Sequence, residues 1–421
     1  MNIFKNFSDV LYLSIIFISM AKLFEHVRFC ILGAGPSGLS FARELLKNGI
    51  DNFLVLEAED SPGGLCRSMT VDGSPLDIGG GHFLDVKRKA VLDFLFELMP
   101  ETEWNRFVRI AQIRIRGHEI DHPMEANIWQ LPIDDQVDFL ESIAKAGCVK
   151  GISEPEKFNE WIRWKLGDLI SDEYMIPYNK KIWSIPIQEI GTYWLNKLPS
   201  VSFRDTLKSC LEHQSRDLLP AHGKFYYPKR YGYGEVWHRM GRELGERLRL
   251  GCPVSSIDAS SLIINNNIKA DMIVNTIPWT AWLKTNALPR HLNSLVRELK
   301  YVSIDVDYQP DDIDSPAHWI YDSSEEVTFH RLLLRHNFCK NARGHWTETN
   351  IVRSNSTDNF RYRNIYAYPI NTITKQFVMK KITTWAKKRN ILPLGRWGLW
   401  EHINSDVAVQ NAIEGARYVA K

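Results

Sequence analysis

A glycine-rich turn near the beginning of the chain constrains the fold more than any other feature. Residues 27–38 read VRFCILGAGPSG, so a short apolar, β-branched run leads into the turn, and a helical pattern follows it. Gly33 permits a tight turn, Gly35 leaves room for a pyrophosphate, and Gly38 lets the helix pack closely on the strand. Glu57 ends the next apolar run, where an acid accepts a hydrogen bond from a ribose hydroxyl. This order predicts a dinucleotide-binding α/β fold that holds FAD or NAD.

Two further glycine clusters favour FAD over NAD. Residues 60–67 read DSPGGLCR and residues 77–83 read DIGGGHF, where a plain NAD fold continues with helix and strand. The longer cofactor needs a second stretch of bare backbone beside its phosphates and flavin, although such clusters also occur as simple surface turns. The segments 395–400 and 404–406 are predicted to bring a third loop to the flavin. The expected FAD contacts are Gly33, Gly35, Pro36, Ser37, Gly38, Glu57, Gly63, Gly64, Arg67, Gly80, Gly81, Val254, Gly395, Arg396, Asn404 and Asp406.

The composition excludes several classes of protein. The chain has 421 residues, 44% of them hydrophobic and 24% charged, with a net charge of +2, which suits two or three globular domains. A charge this close to zero gives no support to nucleic-acid binding. The six cysteines form no CxxC pair and show no metal-ligand spacing, so they indicate reduced, structural thiols and a cytoplasmic protein.

Residues 1–24 form an N-terminal extension with three alternative interpretations. Met20 begins the sequence MAKLFEHVRFCILGAG, so the preceding residues fit an over-extended reading frame. The apolar run at 10–20 also fits a signal or membrane-surface segment, or an ordinary helix, but it is too short to predict a stable membrane span.

The periodicity predicts a Rossmann-like cofactor domain that is discontinuous in sequence. Apolar residues at helical spacing dominate residues 88–220 and predict an inserted helical domain. Alternating residues in 295–384 predict an inserted antiparallel β-sheet on the substrate side. The cofactor domain then comprises residues 25–87, 221–294 and 385–421.

In this order of motifs the chain resembles the UDP-galactopyranose mutase family, closest to its eukaryotic-type branch. That family lies within the wider group of protoporphyrinogen and amine oxidases. The matching segments include GAGPSG, PGGLCRS, DIGGGHF, LPIDDQVDFL, PYNKKIWSIP, TFHR, YAYP and GRWGLWEHINSD, and they run from about Arg28 to Arg417. The glycine motifs are shared across the wider group, whereas LPIDDQVDFL and PYNKKIWSIP are more specific to the mutases.

The resemblance implies an isomerase that uses FAD in its reduced form. In such mutases N5 of the reduced flavin attacks the anomeric carbon of a nucleotide sugar, and the sugar recloses as a furanose that feeds surface polysaccharide synthesis. The substrate is then a nucleotide sugar. The sequence contains no visible second dinucleotide-binding motif. NAD(P)H is therefore expected to act as a reductant that binds only transiently.

The resemblance also implies the catalytic residues. Arg331 in TFHR and Tyr368 in YAYP match residues that hold the diphosphate, and a guanidinium suits phosphate oxygens. Arg331 can also be a strand-face arginine paired with an acid such as Glu325, and Tyr368 a core aromatic. His82 matches a flavin-facing histidine, although three glycines precede it where the family has two. The wall between sugar and flavin is assigned to Tyr178, Asn179, Lys181 and Trp183.

Two departures from the family pattern concern the substrate. The nucleobase-side pattern Tyr-Pro-Phe-Gln-Asn is replaced by residues 122–127, HPMEAN, in which Glu125 stands for a neutral amide. His402, Ile403 and Asn404 stand where relatives carry tyrosines or an acid near the sugar. The base and the sugar therefore stay open, as do two other functions: a flavin oxidase or desaturase acting on an amine, porphyrin-like or lipid substrate, and a flavin-binding protein without chemistry of its own.

Overall fold

A computed structural model describes residues 24–195, 201–215, 223–355 and 360–421. In chain order its strands are β1 (Glu25–Leu32), β2 (Phe53–Leu56), β3 (Ser68–Val71), β4 (Ser74–Asp77), β5 (Leu84–Asp85), β6 (Trp104–Val108), β7 (Ala111–Ile115), β8 (His118–Asp121), β9 (Lys224–Pro228), β10 (Leu248–Arg249), β11 (Ile257–Asp258), β12 (Ile263–Ile264), β13 (Ile268–Asn275), β14 (Tyr301–Gln309), β15 (Trp319–Asp322), β16 (Arg331–Leu334), β17 (His345–Asn350), β18 (Arg361–Pro369) and β19 (Ile391–Pro393).

The helices lie mainly between the strands and cover their faces. In chain order they are α1 (Pro36–Lys47), α2 (Lys89–Phe96), α3 (Met124–Asn127), α4 (Ile133–Ala144), α5 (Phe158–Ile170), α6 (Ile176–Trp183), α7 (Phe203–Glu212), α8 (Gly234–Leu244), α9 (Trp279–Trp282), α10 (Arg290–Arg297), α11 (Lys375–Lys387), α12 (Gly395–Gly398) and α13 (Ser405–Ala420). A π-helical turn, Ser171–Met175, joins α5 to α6.

The first large sheet contains the glycine-rich turn at the end of a central strand. Its order is β10-β2-β1-β13-β12-β11, with β19 also beside β13, and β10, β2, β1, β13 and β19 run parallel. β2 is buried along its whole length, as expected of a parallel strand that is covered on both faces. The predicted Rossmann-like α/β fold is confirmed, and the discontinuous segments meet in one sheet as expected.

The second large sheet is mostly antiparallel and confirms the predicted β-sheet insertion. Its order is β18-β14-β17-β16-β15-β7-β8, and only the β15–β7 pair within it is parallel. Successive side chains on a strand point to opposite faces. Trp346 and Glu348 of β17 therefore share one face, and Thr347 and Thr349 share the other.

Residues 88–220 are less helical than the sequence predicts. Within this range β7 and β8 form a hairpin, and β7 pairs with β15 of the second sheet. β6 pairs with β9, which the sequence assigned to the cofactor domain. The hairpin turn is formed by Arg116 and Gly117 at φ 50° and 77°, the backbone region that two-residue hairpins use. The domain limits themselves stay a prediction.

The last helix of the described chain joins the first. α13 packs along α1, and the buried residues of α13 include Ala412 and Ala416, whose small side chains suit close helix packing. Arg417 Nε donates to Glu44 Oε1 on α1 at 2.7 Å, near the far end of both helices. The packing along both helices places the N-terminus of α13 beside the glycine-rich turn.

Two further features of the described chain concern membrane insertion and metal binding. Within the described ranges no helix has the length and apolar character that crossing a bilayer requires. In the same ranges no group of three or more His, Cys, Asp or Glu residues is arranged to hold a metal ion. The N-terminal extension, residues 1–23 of which are outside the described residues, keeps its three interpretations.

Candidate active site

A cleft of about 390 Å³ opens where the glycine-rich turn leaves β1. Gly33 adopts a φ of +97°, a backbone conformation that residues with an L side chain rarely adopt. A Cβ on Gly38 would lie 2.0 Å from the Gly33 carbonyl oxygen. A Cβ on Gly35 would meet no atom within 4 Å, because that position faces the open cleft. α1 begins there without a side-chain cap, so its first N–H groups are available to an anion.

Other loops complete the walls of this cleft. Glu57 Oε2 accepts from the Ala34 N–H at 2.6 Å, which holds the acid beside the turn. Arg67 lines the cleft and donates to the Gly64 carbonyl at 2.9 Å. Asn404 stands at the start of α13, whose N-terminus also lacks a side-chain cap. These uncapped helix ends and bare backbone fit a phosphate-bearing flavin dinucleotide, with Glu57 placed for its ribose.

A second cavity of about 350 Å³ adjoins the cleft. Four residues line both: His82, Arg396, Asn404 and Ser405. The second cavity is walled by α6, the π-turn before it, and strands β15, β16 and β18. A group bound at the shared boundary would face both spaces, which is the arrangement an enzyme needs between cofactor and substrate.

The electrostatics of the second cavity are cationic. Its described lining includes Arg109, Arg331 and Arg396 and no aspartate or glutamate. Arg396 donates only to the carbonyl oxygens of Ala367 and Ile403 among the described residues, at 2.7–3.1 Å. Burial lowers the pKa of Arg396, so the guanidinium is short of solvation. An anion in this cavity would supply the counter-charge that Arg396 lacks among the described residues.

Arg331 lines the cavity but is already paired with a carboxylate. The sequence offered Glu325 as its partner, and the structure instead pairs Arg331 with Glu348, at 2.6 Å, and Glu325 with Arg353. Burial by itself lowers the pKa of Arg331, but Glu348 and nearby tyrosines outweigh it and raise that pKa. The Tyr368 hydroxyl lies 3.4 Å from the same carboxylate.

The cavity end away from the cleft combines Tyr178 and His122, which lie in segments that the sequence pointed to, with Arg109, Tyr174 and Tyr321, which it did not. Arg109 Nη2 donates to His122 Nδ1 at 3.2 Å, and lies 3.4 Å from the Tyr321 hydroxyl. Burial, followed by the charge of Arg109, holds the pKa of His122 well below its usual range. Tyr174 and Tyr178 stack at 5.8 Å beside them. Tyr321 lies on β15, and the short apolar run of that strand was the available signal for it.

Aromatic rings surround the boundary with the cleft. His402 lies 5.0 Å from Tyr368 and 6.1 Å from Trp183, measured between ring centroids. The Trp183 indole N–H donates to Asn179 Oδ1 at 2.7 Å, and Asn179 Nδ2 donates to the Met175 carbonyl. The amide of Asn179 is therefore used to hold Trp183.

Lys181 does not line either cavity, contrary to its assignment to the wall between sugar and flavin. Its side chain is fully buried, and Nζ donates to the carbonyl oxygens of Asp322 and Phe329 at 3.1 and 3.0 Å. Tyr178 and Lys181 lie three residues apart, on neighbouring turns of one side of α6, so the two carbonyl oxygens rather than the helix face keep the ammonium group out of the cavity. Lys181 ties the segment before β16 in place.

The predicted site residues fall into three groups. His82, Tyr178, Asn179, Trp183, Arg331 and Tyr368 line the second cavity, together with Gly81. Gly33, Gly35, Pro36, Ser37, Glu57, Gly64, Arg67, Arg396 and Asn404 line the cleft. Behind these walls lie Gly38, Gly63, Gly80, Val254, Gly395 and Asp406.

Two residues of the third group have clear alternative roles. Val254 packs against the apolar core of the first sheet, because the chain turns at Pro253 away from the cleft. Asp406 accepts from Arg88 Nε at 2.7 Å. Both were expected to contact the cofactor, and the structure gives them packing and ion-pair contacts instead.

Asp77, which precedes the turn that carries His82, is expected to make stability depend on pH. Burial raises its pKa from 3.8 to about 7. The folded protein thus holds this proton more tightly than the unfolded chain, so its stabilising contribution is complete below the ordinary pKa and is lost as the pH rises through about 7. Relative to Asp77→Asn, the wild type should lose free energy of unfolding between about pH 5 and about pH 8 in urea titrations. The exposed Asp60→Asn serves as the control, and a constant difference would contradict the prediction.

Comparisons with known sequences place the chain in a family. The profile of the family described as flavin containing amine oxidoreductase matches residues 36–306, more than half of the chain. The chain is 26% identical over 285 residues to amine oxidase [flavin-containing] A of Sus scrofa, covering 64% of this chain and 53% of that protein. It is 43% identical over 72 residues to putrescine oxidase of Kocuria rosea, covering 17% and 15%. The chain thus spans about half or less of these curated relatives.

Comparisons with solved structures show the same fold. Reduced UDP-galactopyranose mutase superposes with a TM-score of 0.84 at 23% identity, covering 93% of this chain and 95% of that one. A putative protoporphyrinogen oxidase from Exiguobacterium sp. 255-15 gives 0.69 at 14% identity, covering 94% and 98%. Putrescine oxidase bound to putrescine gives 0.58 at 16%, covering 94% and 99%. With the family match, they show that this chain belongs to the flavin-containing amine oxidoreductases, an FAD-binding family of enzymes.

Proposed function

We propose that this protein is an FAD-dependent mutase that interconverts the pyranose and furanose rings of a nucleotide sugar. The observation that carries the proposal is the charge of the second cavity: its described lining holds three arginines and no carboxylate, and Glu348, behind that lining, pairs with one of the three. A nucleoside diphosphate brings at least two negative charges to such a site, and guanidinium groups pair well with phosphate oxygens. A protonated amine, by contrast, is repelled there.

The cavity walls suggest how this chain would divide the work. Arg331 and Tyr368 both line the cavity and contact Glu348 behind its wall, and they are placed to hold the diphosphate. Trp183 and His402 lie on the cleft side of that point and are placed against the sugar. Tyr178 and Tyr321, 5.6 Å apart, line the far side, where a nucleoside can contact their rings. The diphosphate can thus stay bound while the sugar rearranges.

The cofactor and the walls have separate tasks in this scheme. FAD, which the glycine-rich turn, Glu57 and Arg67 would hold in the cleft, would in its reduced form supply the electron pair for attack on the anomeric carbon. The aromatic residues exclude water from the boundary, so the sugar is not lost by hydrolysis. Asn404 and Ser405 begin α13 there, and the positive end of the helix stabilises negative charge nearby.

The fold comparison supports the proposal over an oxidase. Reduced UDP-galactopyranose mutase superposes better than putrescine oxidase, with TM-scores of 0.84 and 0.58. Because the sequence relatives carry the names of amine and putrescine oxidases, an oxidase or desaturase is the second candidate function. That NAD(P)H is the electron source is also part of this proposal, which leaves the sugar and the base open.

The test is a product analysis with the reduced holoenzyme. The purified yellow protein is photoreduced under anaerobic conditions, a panel of nucleotide sugars is added, and the products are separated by chromatography. We expect a ring-contracted isomer to form without net consumption of reductant, and only after reduction. Steady oxygen uptake with peroxide formation on an amine or porphyrinogen, and no isomer from any sugar, would reject the mutase in favour of the oxidase.

A further inference from the structure

Glu348 is a buried carboxylate directly behind the wall of the second cavity, where it contacts the lining residues Gly81, Arg331 and Tyr368. It lies in β17 directly opposite Arg331 in β16, and its side chain has no exposed surface. It accepts from Arg331 Nε at 3.1 Å and from Arg331 Nη2 at 2.6 and 2.8 Å. No sequence motif pointed to it, because its partners are distant along the chain.

The same carboxylate holds the loop on the cofactor side. The Gly81 N–H donates to Glu348 Oε1 at 2.8 Å. Gly80 adopts φ +91°, and a Cβ there would lie 2.7 Å from the same oxygen. Three glycines precede His82 where the family has two. Two of them, Gly80 and Gly81, lie where the backbone must approach Glu348 closely.

The pairing determines what Arg331 can offer to a ligand. Glu348 takes the Nε and Nη2 edge of the guanidinium, which fixes its plane and leaves Nη1 for the cavity. The carboxylate also cancels most of the positive charge at that point. An anion in the cavity is therefore oriented by Arg331 but attracted less strongly than by an unpaired arginine.

We propose that Glu348 is a positioning residue that sets the orientation and net charge of Arg331 and links it to the Gly80–Gly81 loop beside the cofactor. The ion pair lowers the affinity of the cavity for an anion but fixes the orientation in which the anion binds. The diphosphate is held loosely enough to leave and return, and in one orientation relative to the boundary. The inference rests on the anion-binding cavity of the proposed function but not on the identity of the sugar.

Glu348→Gln in the holoenzyme tests this proposal. Glutamine keeps the shape and an acceptor for Gly81 but removes the charge that offsets Arg331. We expect pyrophosphate and UDP to bind about threefold more tightly or better, by calorimetry, because the cavity gains net positive charge. With the nucleotide sugar that the wild type converts, kcat should fall about tenfold or more, because the guanidinium is no longer fixed. A purely structural residue would not raise affinity while lowering kcat.

The matched control is Glu44→Gln. Glu44 is also a buried carboxylate paired with an arginine, Arg417, but it lies on α1 away from both cavities. It should leave pyrophosphate affinity and kcat unchanged. If Glu348→Gln does not accumulate, Arg331→Lys replaces it: one ammonium cannot serve both Glu348 and an anion, so pyrophosphate should bind about tenfold more weakly.

The outcomes separate this inference from the proposed function. Tighter pyrophosphate binding by Glu348→Gln, with no nucleotide sugar converted by the wild type, rejects the mutase and keeps the role of Glu348. Unchanged or weaker binding by a folded, yellow Glu348→Gln overturns the inference even if the mutase activity is found. No pyrophosphate binding by either protein overturns both.

Discussion

Arg331→Ala is expected to lower the free energy of unfolding by about 3–5 kcal/mol, the usual effect of leaving a buried charge without its partner. Glu348 has no exposed surface, so water cannot replace the lost guanidinium. Urea unfolding followed by tryptophan fluorescence measures the change. As a control, Arg249→Ala removes an arginine from an ion pair in which the side chains of both partners, Arg249 and Glu25, are exposed, and it should cost about 1 kcal/mol or less.

The double variant Arg331→Ala/Glu348→Gln makes this prediction specific. It removes both charges, so it should recover much of the lost stability. Nucleoside-diphosphate binding should nevertheless stay weaker than in the wild type by about 2–4 kcal/mol, with flavin still bound. Unchanged diphosphate affinity would remove Arg331 from the binding site, and a single variant as stable as the wild type would contradict the buried pair.

Gly35→Ala and Gly38→Ala are expected to fail in opposite ways. At Gly35 a Cβ meets nothing within 4 Å but projects into the cleft. This variant should fold normally and bind FAD about 100-fold more weakly, or about 2.7 kcal/mol, because the methyl group occupies the place of a phosphate. Flavin absorbance per protein and FAD titration of the apoprotein give the two quantities.

At Gly38 the same methyl group would lie 2.0 Å from the Gly33 carbonyl oxygen, inside the turn. Backbone must move to admit it, so the free energy of unfolding should fall by about 3 kcal/mol or more, with or without flavin. Equal stability of the two variants would show that the turn is not packed as described. Full FAD binding by Gly35→Ala would show that phosphate does not approach there.

The parts of the fold that local chemistry determines were predictable. The glycine turn, β2 and the acid that follows it lie together because backbone conformation and apolar runs act over a few residues. Glu348 and Arg109 were not found, because contacts that define their roles, with Gly81 and Tyr321, join residues 267 and 212 positions apart in sequence. The same reason explains β6 to β8, whose short alternating runs need β9 and β15 to become strands.

Residue type alone also misplaced two side chains. A lysine in an aromatic segment suggested a substrate contact, but Lys181 satisfies backbone carbonyls behind the wall. Asp406 follows the loop that reaches the boundary and was expected at the cofactor, yet Arg88 takes its carboxylate. In both cases the neighbours on other elements decide the role, and the local motif does not name them.

The packing of α13 on α1 has a consequence for biosynthesis. The boundary between the two cavities includes Asn404 and Ser405, which are in place only once Ser405–Ala420 has docked on a helix made some 370 residues earlier, as the 373-residue separation of Glu44 and Arg417 shows. Until Ser405–Ala420 has emerged from the exit tunnel, a nascent chain therefore has the first glycine turn but only part of the binding surface. Tight retention of the dinucleotide must follow the emergence and docking of this segment, so cofactor binding comes late in the folding of the chain.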